Sequence, residues 1–169
     1  MSPLLDGPDT PPLSPVHEHE IVARAEEHDG LGHVSNIVYV RWIQDAAVAH
    51  SVAAGWNEEA YRRLGAVFVV RRHEVEYLLP TYAGDRLTAR TWIARWTAAT
   101  SERRTMIERA GDGRAVVRAA TVWALVSLEN GRPRAIPSGL RAAFGLEGGV
   151  AGTEAKAGAG GVAAAARRR

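Results

Sequence analysis

One long helical pattern followed by several strand patterns is the feature of this chain that most restricts its fold. Over residues 36–54, apolar side chains recur at every third or fourth position, which is the spacing of one face of an α-helix. The predicted inward face comprises Tyr39, Val40, Ile43, Ala47, His50 and Ala54. Strand patterns follow over residues 66–77, 86–96, 100–110 and 115–128. Because a sheet has to bury its apolar face and this helix is the only large apolar partner in the sequence, we expect the sheet to pack on it.

Turn residues separate the strand patterns and indicate how the strands pair. Pro80 and Gly84-Asp85 break the chain before the second strand pattern. Gly111-Asp112-Gly113 and Asn130-Gly131 are typical of hairpin turns. Long strands joined by tight turns predict an antiparallel sheet, so the expected class is an α+β domain.

Three shorter elements complete the predicted order. Residues 57–65 begin with a capping Asn, continue with two acids and end with Gly, as a short helix does. A first strand is predicted over residues 16–26, where turn residues are scarce. After Pro137, a further short helix is predicted over residues 138–146.

Length and composition indicate one domain between two tails. A chain of 169 residues is long enough for one substantial core. Residues 1–14 are rich in Pro and Asp and have no periodicity, and residues 147–169 are rich in Gly and Ala. We therefore expect disordered tails on both sides of a domain at residues 15–146.

Cysteine content and charge exclude several classes of protein. With no cysteine, the chain has no disulfide framework, no thiol nucleophile and no zinc site of the cysteine type. Four of the 21 basic and two of the 19 acidic side chains lie in residues 147–169. The remainder is electrically neutral, so we expect no nucleic-acid partner. No apolar run approaches the roughly 18 to 20 residues of a membrane span, and the first residues lack a signal-peptide pattern. A cytoplasmic protein with no membrane partner is expected.

The loop before the long helix concentrates the residues with chemical potential. It reads Glu-His-Asp-Gly-Leu-Gly-His-Val-Ser-Asn over residues 27–36. Its two glycines suit a loop, and Ser35 or Asn36 is a suitable N-cap, so a helix N-terminus is predicted directly after the loop. The unpaired N–H groups of such a terminus polarise a carbonyl or hold an oxyanion, and Asp29 lies just outside it. An acid beside an oxyanion site suggests acyl transfer.

This loop resembles that of hotdog-fold acyl-CoA thioesterases of the 4-hydroxybenzoyl-CoA thioesterase-like family. The matching residues are Asp29, Gly32, His33, Val34, Asn36, Tyr39 and Trp42. The chain departs from the family at Ser35, where Asn is usual. The resemblance covers roughly residues 16–137 and implies the hotdog fold, in which an antiparallel sheet wraps around the long helix.

The resemblance also implies hydrolysis of acyl-CoA thioesters without a cofactor. Asp29 is the expected catalyst, either as nucleophile or as general base for water. Asn36 matches the position whose backbone N–H polarises the thioester carbonyl. His33 is expected either to orient the acid, a water or the thioester, or to be a structural loop histidine.

Binding of the coenzyme A portion and of other subunits is implied in the same way. Coenzyme A carries phosphates, for which arginine is the preferred partner. The candidates are Arg71, Arg72, Arg103 and Arg104, with a solvated strand face as the alternative for each pair. The family pairs its subunits edge to edge with active sites at the interface, so a homodimer or homotetramer is expected.

Two other functions stay open at the level of the sequence. A hotdog enoyl-CoA hydratase uses an Asp and a His from a related loop, typically one residue further apart than Asp29 and His33. A non-catalytic acyl-binding module would keep the fold without the chemistry. Thiol release from acyl-CoA, measured beside hydration of an enoyl-CoA, separates the three.

For several residues the structural role is the favoured interpretation. Ser35 is expected to cap the helix and not to act as a nucleophile, because no Gly-x-Ser-x-Gly motif surrounds it. His50 is expected to be a buried histidine with satisfied hydrogen bonds. His17 and His19 are expected to be solvated strand histidines, and no metal site is predicted. Asp29 itself has the alternative role of turning the loop.

Overall fold

The computed structural model describes residues 11–145. The expected tail at residues 147–169 lies outside this range, as do residues 1–10. The elements in chain order are β1 (His17–Val22), a 3-10 turn (Ala25–Glu27), α1 (Asn36–Ala53), α2 (Glu58–Leu64), β2 (Ala66–Tyr77), β3 (Arg86–Trp96), β4 (Thr100–Arg109), β5 (Ala115–Ser127) and α3 (Ser138–Ala143). The predicted strand at residues 16–26 is too long, because the chain leaves the sheet after Val22 and enters the 3-10 turn.

The five strands form one antiparallel sheet in the order β1-β3-β4-β5-β2. Tight turns join β3 to β4 and β4 to β5, and Gly113 in the second of these turns has a φ of 67°, a backbone angle that favours glycine. The predicted α+β class is confirmed, and the fold is the hotdog fold.

Helix α1 packs against the sheet, with β1 and β3 as neighbouring strands. Its buried side chains pack into a core with apolar residues of β3, β4 and β5, among them Leu87, Ala89, Ile107, Val117 and Ala119. Small residues such as Ala46 and Ala47 allow the helix backbone to approach the strands closely. Trp42 and Ala46 are buried although they lie outside the predicted face, because the buried stripe of the helix is wider than the sequence pattern indicated.

A second apolar cluster lies at the other end of the sheet. It comprises Ala66, Ile93, Leu125, Ile136, Leu140 and Phe144, with Trp56, Tyr61, Leu64, Phe68 and Trp96 packed against it. Helix α2 has the predicted caps, since the side chain of Asn57 accepts from the Ala60 N–H and Gly65 is left-handed with a φ of 71°.

The described part of the chain joins the sheet before residue 15. The Leu13 N–H donates to the Ile93 carbonyl at 2.8 Å, and the Ile93 N–H donates to the Ser14 hydroxyl at 2.8 Å. Ser14 is buried. Leu13 and Ser14 therefore bond to β3 directly before the predicted start of the domain at residue 15.

Candidate active site

The loop between β1 and α1 is a narrow hairpin held by its own backbone. The Asp29 N–H donates to the His33 carbonyl at 2.9 Å, and the Ser35 N–H donates to the Glu27 carbonyl at 3.0 Å. His28 and Val34 form a bridge between these two bonds. Gly32 closes the turn with a φ of 82°. The loop therefore places Asp29 opposite His33, directly before the first turn of α1.

Asp29 makes one contact within the turn and one with a histidine. Its Oδ1 accepts from the Leu31 N–H at 2.8 Å, so the predicted turn role is present. Its Oδ2 lies 3.4 Å from the Nδ1 of His33. The Asp29 and His33 side chains are 32% and 35% exposed, so water and a ligand can reach the carboxylate.

The first turn of α1 offers N–H groups that the described residues leave without partners. Ser35 has the extended backbone angles of an N-cap, but its side chain makes no capping hydrogen bond. The Val38 N–H donates to the Ser35 carbonyl at 2.9 Å, whereas the Asn36 and Ile37 N–H groups have no partner in residues 11–145. The prediction of a cap position at Ser35 is right and that of a capping hydroxyl is wrong. The positive end of the helix stays available to an acceptor.

Glu27 anchors the loop to the helix. It is 8% exposed, accepts from the Arg24 N–H at 2.9 Å and forms an ion pair with Arg41 of α1. No local sequence pattern connects Glu27 with an arginine in the following helix, so the sequence does not predict this pair. This pair fixes the loop relative to the helix N-terminus.

Aromatic residues cluster around the first turns of α1, next to the loop. Tyr39 is buried and lies edge-on to Trp42 and Tyr77, with ring centroids 5.2 and 5.6 Å apart. Burial raises the pKa of Tyr39, so its phenol is protonated at neutral pH. The Val34 N–H donates to the Thr81 carbonyl at 2.9 Å and so ties the loop to the segment between β2 and β3.

The four predicted arginines do not form one group. Arg71 and Arg72 are exposed on the edge strand β2, and Arg72 pairs with Glu74. Arg104 is half-buried and lies 2.8 Å from a carboxylate oxygen of Glu102. Arg103 is buried and contacts His50 in the C-terminal half of α1. Their contact with coenzyme A phosphates stays a prediction, and Arg103 is the member of the set that solvent does not reach.

The histidines expected to be structural have distinct environments. His50 is buried and its Nδ1 lies 2.8 Å from Arg103 Nη1, as expected of a satisfied buried histidine. His17 is half-buried, and its ring stacks on that of His50 at 5.2 Å, so the solvated interpretation is wrong for His17.

Within residues 11–145, no group of three or more His, Asp or Glu side chains is placed to hold a metal ion. None of the helices in that range has the length and apolarity to cross a membrane.

Comparison with known proteins gives a consistent set of matches. A family model described as the thioesterase-like superfamily matches residues 23–144. A 1,4-dihydroxy-2-naphthoyl-CoA thioesterase from Synechocystis is 17% identical with a TM-score of 0.71, over 77% of this chain and 96% of its own. A putative oleoyl thioesterase from Lactobacillus plantarum is 18% identical with a TM-score of 0.75, over 79% of this chain and 52% of its own. A hypothetical Staphylococcus aureus protein in complex with CoA is 14% identical with a TM-score of 0.73, over 78% of this chain and 83% of its own.

Proposed function

Since the chain belongs to the thioesterase-like superfamily, we propose that it hydrolyses acyl-CoA thioesters to the free acid and coenzyme A. The observation that carries this proposal is the solvent-accessible Asp29 carboxylate in the loop directly before the unpartnered N–H groups of α1. A carboxylate beside a helix N-terminus supplies an attacking group and an oxyanion site together. Membership of the superfamily supports thioester hydrolysis in general, and the acyl-CoA substrate is the proposed refinement.

In the proposed reaction, the thioester carbonyl oxygen accepts a hydrogen bond from the Asn36 N–H. The positive end of α1 stabilises the negative charge that develops on this oxygen. As general base, Asp29 takes a proton from a water molecule whose oxygen attacks the carbonyl carbon. As nucleophile, Asp29 instead forms an acyl anhydride that water then hydrolyses. In both cases the carbon–sulfur bond breaks and coenzyme A leaves as a thiolate, so no catalytic acid is required.

His33 is proposed as a positioning residue for Asp29. Its Nδ1 lies 3.4 Å from the carboxylate oxygen that is not used in the turn. A hydrogen-bonding partner on that side limits rotation of the carboxylate and directs it toward the helix terminus. A long contact between half-exposed groups contributes modestly, so His33 is expected to matter less than Asp29.

Recognition of coenzyme A is proposed to involve cationic side chains of β2 and β4. Arg71 and Arg72 are exposed, whereas the Arg104 side chain is only 11% exposed, and Arg72 and Arg104 already have carboxylate partners. The Staphylococcus aureus protein of the same fold in complex with CoA supports this ligand class. We also propose a homodimer or homotetramer, because β1 and β2 are the edges of the sheet and unpaired edges favour association.

The test is a panel of acyl-CoA thioesters of different chain lengths, with thiol release measured for each. The expected result is release from the purified protein and loss of release in Asp29→Asn, which excludes a contaminating enzyme. Hydration of an enoyl-CoA is followed in parallel. Hydration without thiol release would identify a hydratase, and binding without either reaction would identify an acyl-binding module.

A further inference from the structure

A cavity of about 460 Å³ lies at the opposite end of α1 from Asp29. Its walls come from α1, α2, β2, β3, β4 and β5 together with Phe144. Ala47 is the first residue of α1 to line it, and Asn36 lies about 16 Å away along the helix axis, at a rise of about 1.5 Å per residue. The volume is in the range of small-molecule sites, and the location separates it from the thioester site of the same chain.

Aromatic rings form a substantial part of the cavity wall. They form a continuous series in which Trp56, Tyr61, Phe68, Trp96 and Phe144 follow one another with centroid distances from 5.4 to 6.3 Å. Ile93 and Val67 add aliphatic surface. Such a wall stabilises the apolar body of a ligand by removing it from water.

Arg103 places a buried cation in the same cavity. The residue is 4% exposed, and its Nη1 lies 2.8 Å from His50 Nδ1 and 3.2 Å from the Thr91 hydroxyl. Both partners are neutral, since burial and the charge of Arg103 lower the pKa of His50 to about 3. No carboxylate within residues 11–145 forms an ion pair with Arg103. A guanidinium has five N–H donors, so several of them have no protein acceptor there.

The remaining wall adds aromatic surface and no free acid. Trp96 and Trp123 both line the cavity with their rings, whereas the indole Nε1 of each is buried away from it, without a hydrogen-bond partner in the described residues. The acid at the rim, Glu58, is exposed and already bonded to Arg62. The described wall therefore combines the buried positive charge of Arg103 with an apolar lining, and it lacks a free negative charge.

We propose that this cavity binds an amphipathic carboxylate, an anion with a carboxylate head and an apolar alkyl or aryl body. The carboxylate pairs with the guanidinium of Arg103, and the body lies against the aromatic series. A buried cation without a counter-charge is unfavourable, and a bound carboxylate supplies that charge together with acceptors for the free N–H groups. The ligand is a free acid that binds apart from Asp29.

Calorimetric titration with dodecanoate and with dodecanol, below the concentrations at which they self-associate, tests the proposal. The two have the same chain, so the difference between their affinities measures the contribution of the charge. Wild-type protein is expected to bind dodecanoate at least about tenfold more tightly than dodecanol. Equal affinities for the two, or no binding of either, would overturn the proposal.

Three variants test whether Arg103 and this cavity account for the binding of dodecanoate and dodecanol. Arg103→Gln should remove the preference for dodecanoate and leave dodecanol affinity within about threefold. Val48→Trp changes an exposed residue at the cavity wall and should weaken both ligands by narrowing the cavity. Arg118→Gln removes an exposed arginine of β5 that lies outside the cavity lining and should change neither.

Retention of the dodecanoate preference in Arg103→Gln would show that Arg103 does not bind the carboxylate. Circular dichroism establishes whether that variant folds. If it does not fold, wild-type and Val48→Trp titrations still decide the matter, because unaltered dodecanoate binding in Val48→Trp would place the ligand elsewhere.

Discussion

The two ends of α1 hold polar side chains in opposite ways. At the N-terminal end, Asp29 and His33 are each about one-third exposed and 3.4 Å apart. At the C-terminal end, His50 and Arg103 are almost completely buried and 2.8 Å apart. Both pairs include a histidine, so residue type does not explain the difference. Access of water does: the first pair is open to solvent, whereas the second is buried and lacks a counter-charge in the described chain.

The largest effect should come from the exposed end. Asp29→Asn keeps the size of the side chain and removes its charge, so kcat for thiol release should fall by about 10² to 10⁴ while folding survives. Asp45→Asn is the matched control, because Asp45 is exposed on α1 and makes only a 3.9 Å contact with Arg41. If Asp29→Asn kept more than about a tenth of wild-type kcat, a loss under about 1.4 kcal/mol, Asp29 would not be the catalyst.

At the buried C-terminal end of α1, His50 should make the free energy of unfolding depend on pH. Burial, the charge of Arg103 and that of His17 lower the pKa of His50 from 6.5 to about 3, so the folded state binds fewer protons than the unfolded state between these values. The stabilisation that comes from keeping His50 neutral is therefore fully present above pH 6.5 and is lost as the pH falls toward 3. Between pH 7 and pH 4.5, this histidine should lower the free energy of unfolding by about 2 to 3 kcal/mol.

Urea unfolding of wild type and His50→Gln at both pH values isolates this contribution from that of the carboxylates, which titrate in both proteins. The loss between pH 7 and pH 4.5 should be smaller in His50→Gln by the stated amount. Identical losses would show that His50 accepts a proton in the folded state as readily as in the unfolded state, and the contrast between the two ends would disappear.

Substitution of Glu27 tests whether the loop that carries Asp29 depends on the Glu27–Arg41 ion pair for its stability. Glu27→Gln removes the charge that pairs with Arg41, and we expect the free energy of unfolding to fall by about 1 to 3 kcal/mol. Glu26→Gln is the control, since Glu26 is exposed and lies 4.0 Å from Arg24. Thermal unfolding of the two variants measures the difference. Equal midpoints for both would mean that the loop holds its position without the Glu27 pair.

His33 should produce the smallest change. His33→Ala removes the 3.4 Å contact with Asp29 and should lower kcat by less than about tenfold, because the contact is long and half-exposed. The KM should change less than kcat if His33 only positions the carboxylate. A loss as large as that in Asp29→Asn would make His33 a direct participant in the reaction.

Local signals predicted much of the fold. The bounds of β2 and β3 coincide with the predicted residues 66–77 and 86–96, because apolar alternation and flanking turn residues are properties of a short stretch of sequence. Helix α2 was predictable for the same reason, since Asn57 and Gly65 mark its ends. The loop proposed to bind the thioester could be singled out because its acid, histidine and helix start are contiguous.

Features that depend on contacts between distant segments were not predictable. Strand β4 carries Ser101, Arg103 and Thr105 at buried positions, so Ile107 is the one apolar residue among these alternating buried positions and Arg103 was taken for a surface arginine. Ser14 is buried because it bonds to Ile93 in a strand far along the chain. The apolar pattern of α1 likewise did not predict that Trp42 and Ala46, which lie outside the predicted inward face, are buried.

The order of the strands also determines when this sheet can form during synthesis. Strands β1 and β2 leave the ribosome first, yet they pair with β3 and β5, which are made later. The β3-β4-β5 meander contains the short-range pairings, so it can form before the two edge strands dock. Until then, the apolar face of α1 has no sheet to cover it, so the growing chain exposes that face while residues 54–127 are being made.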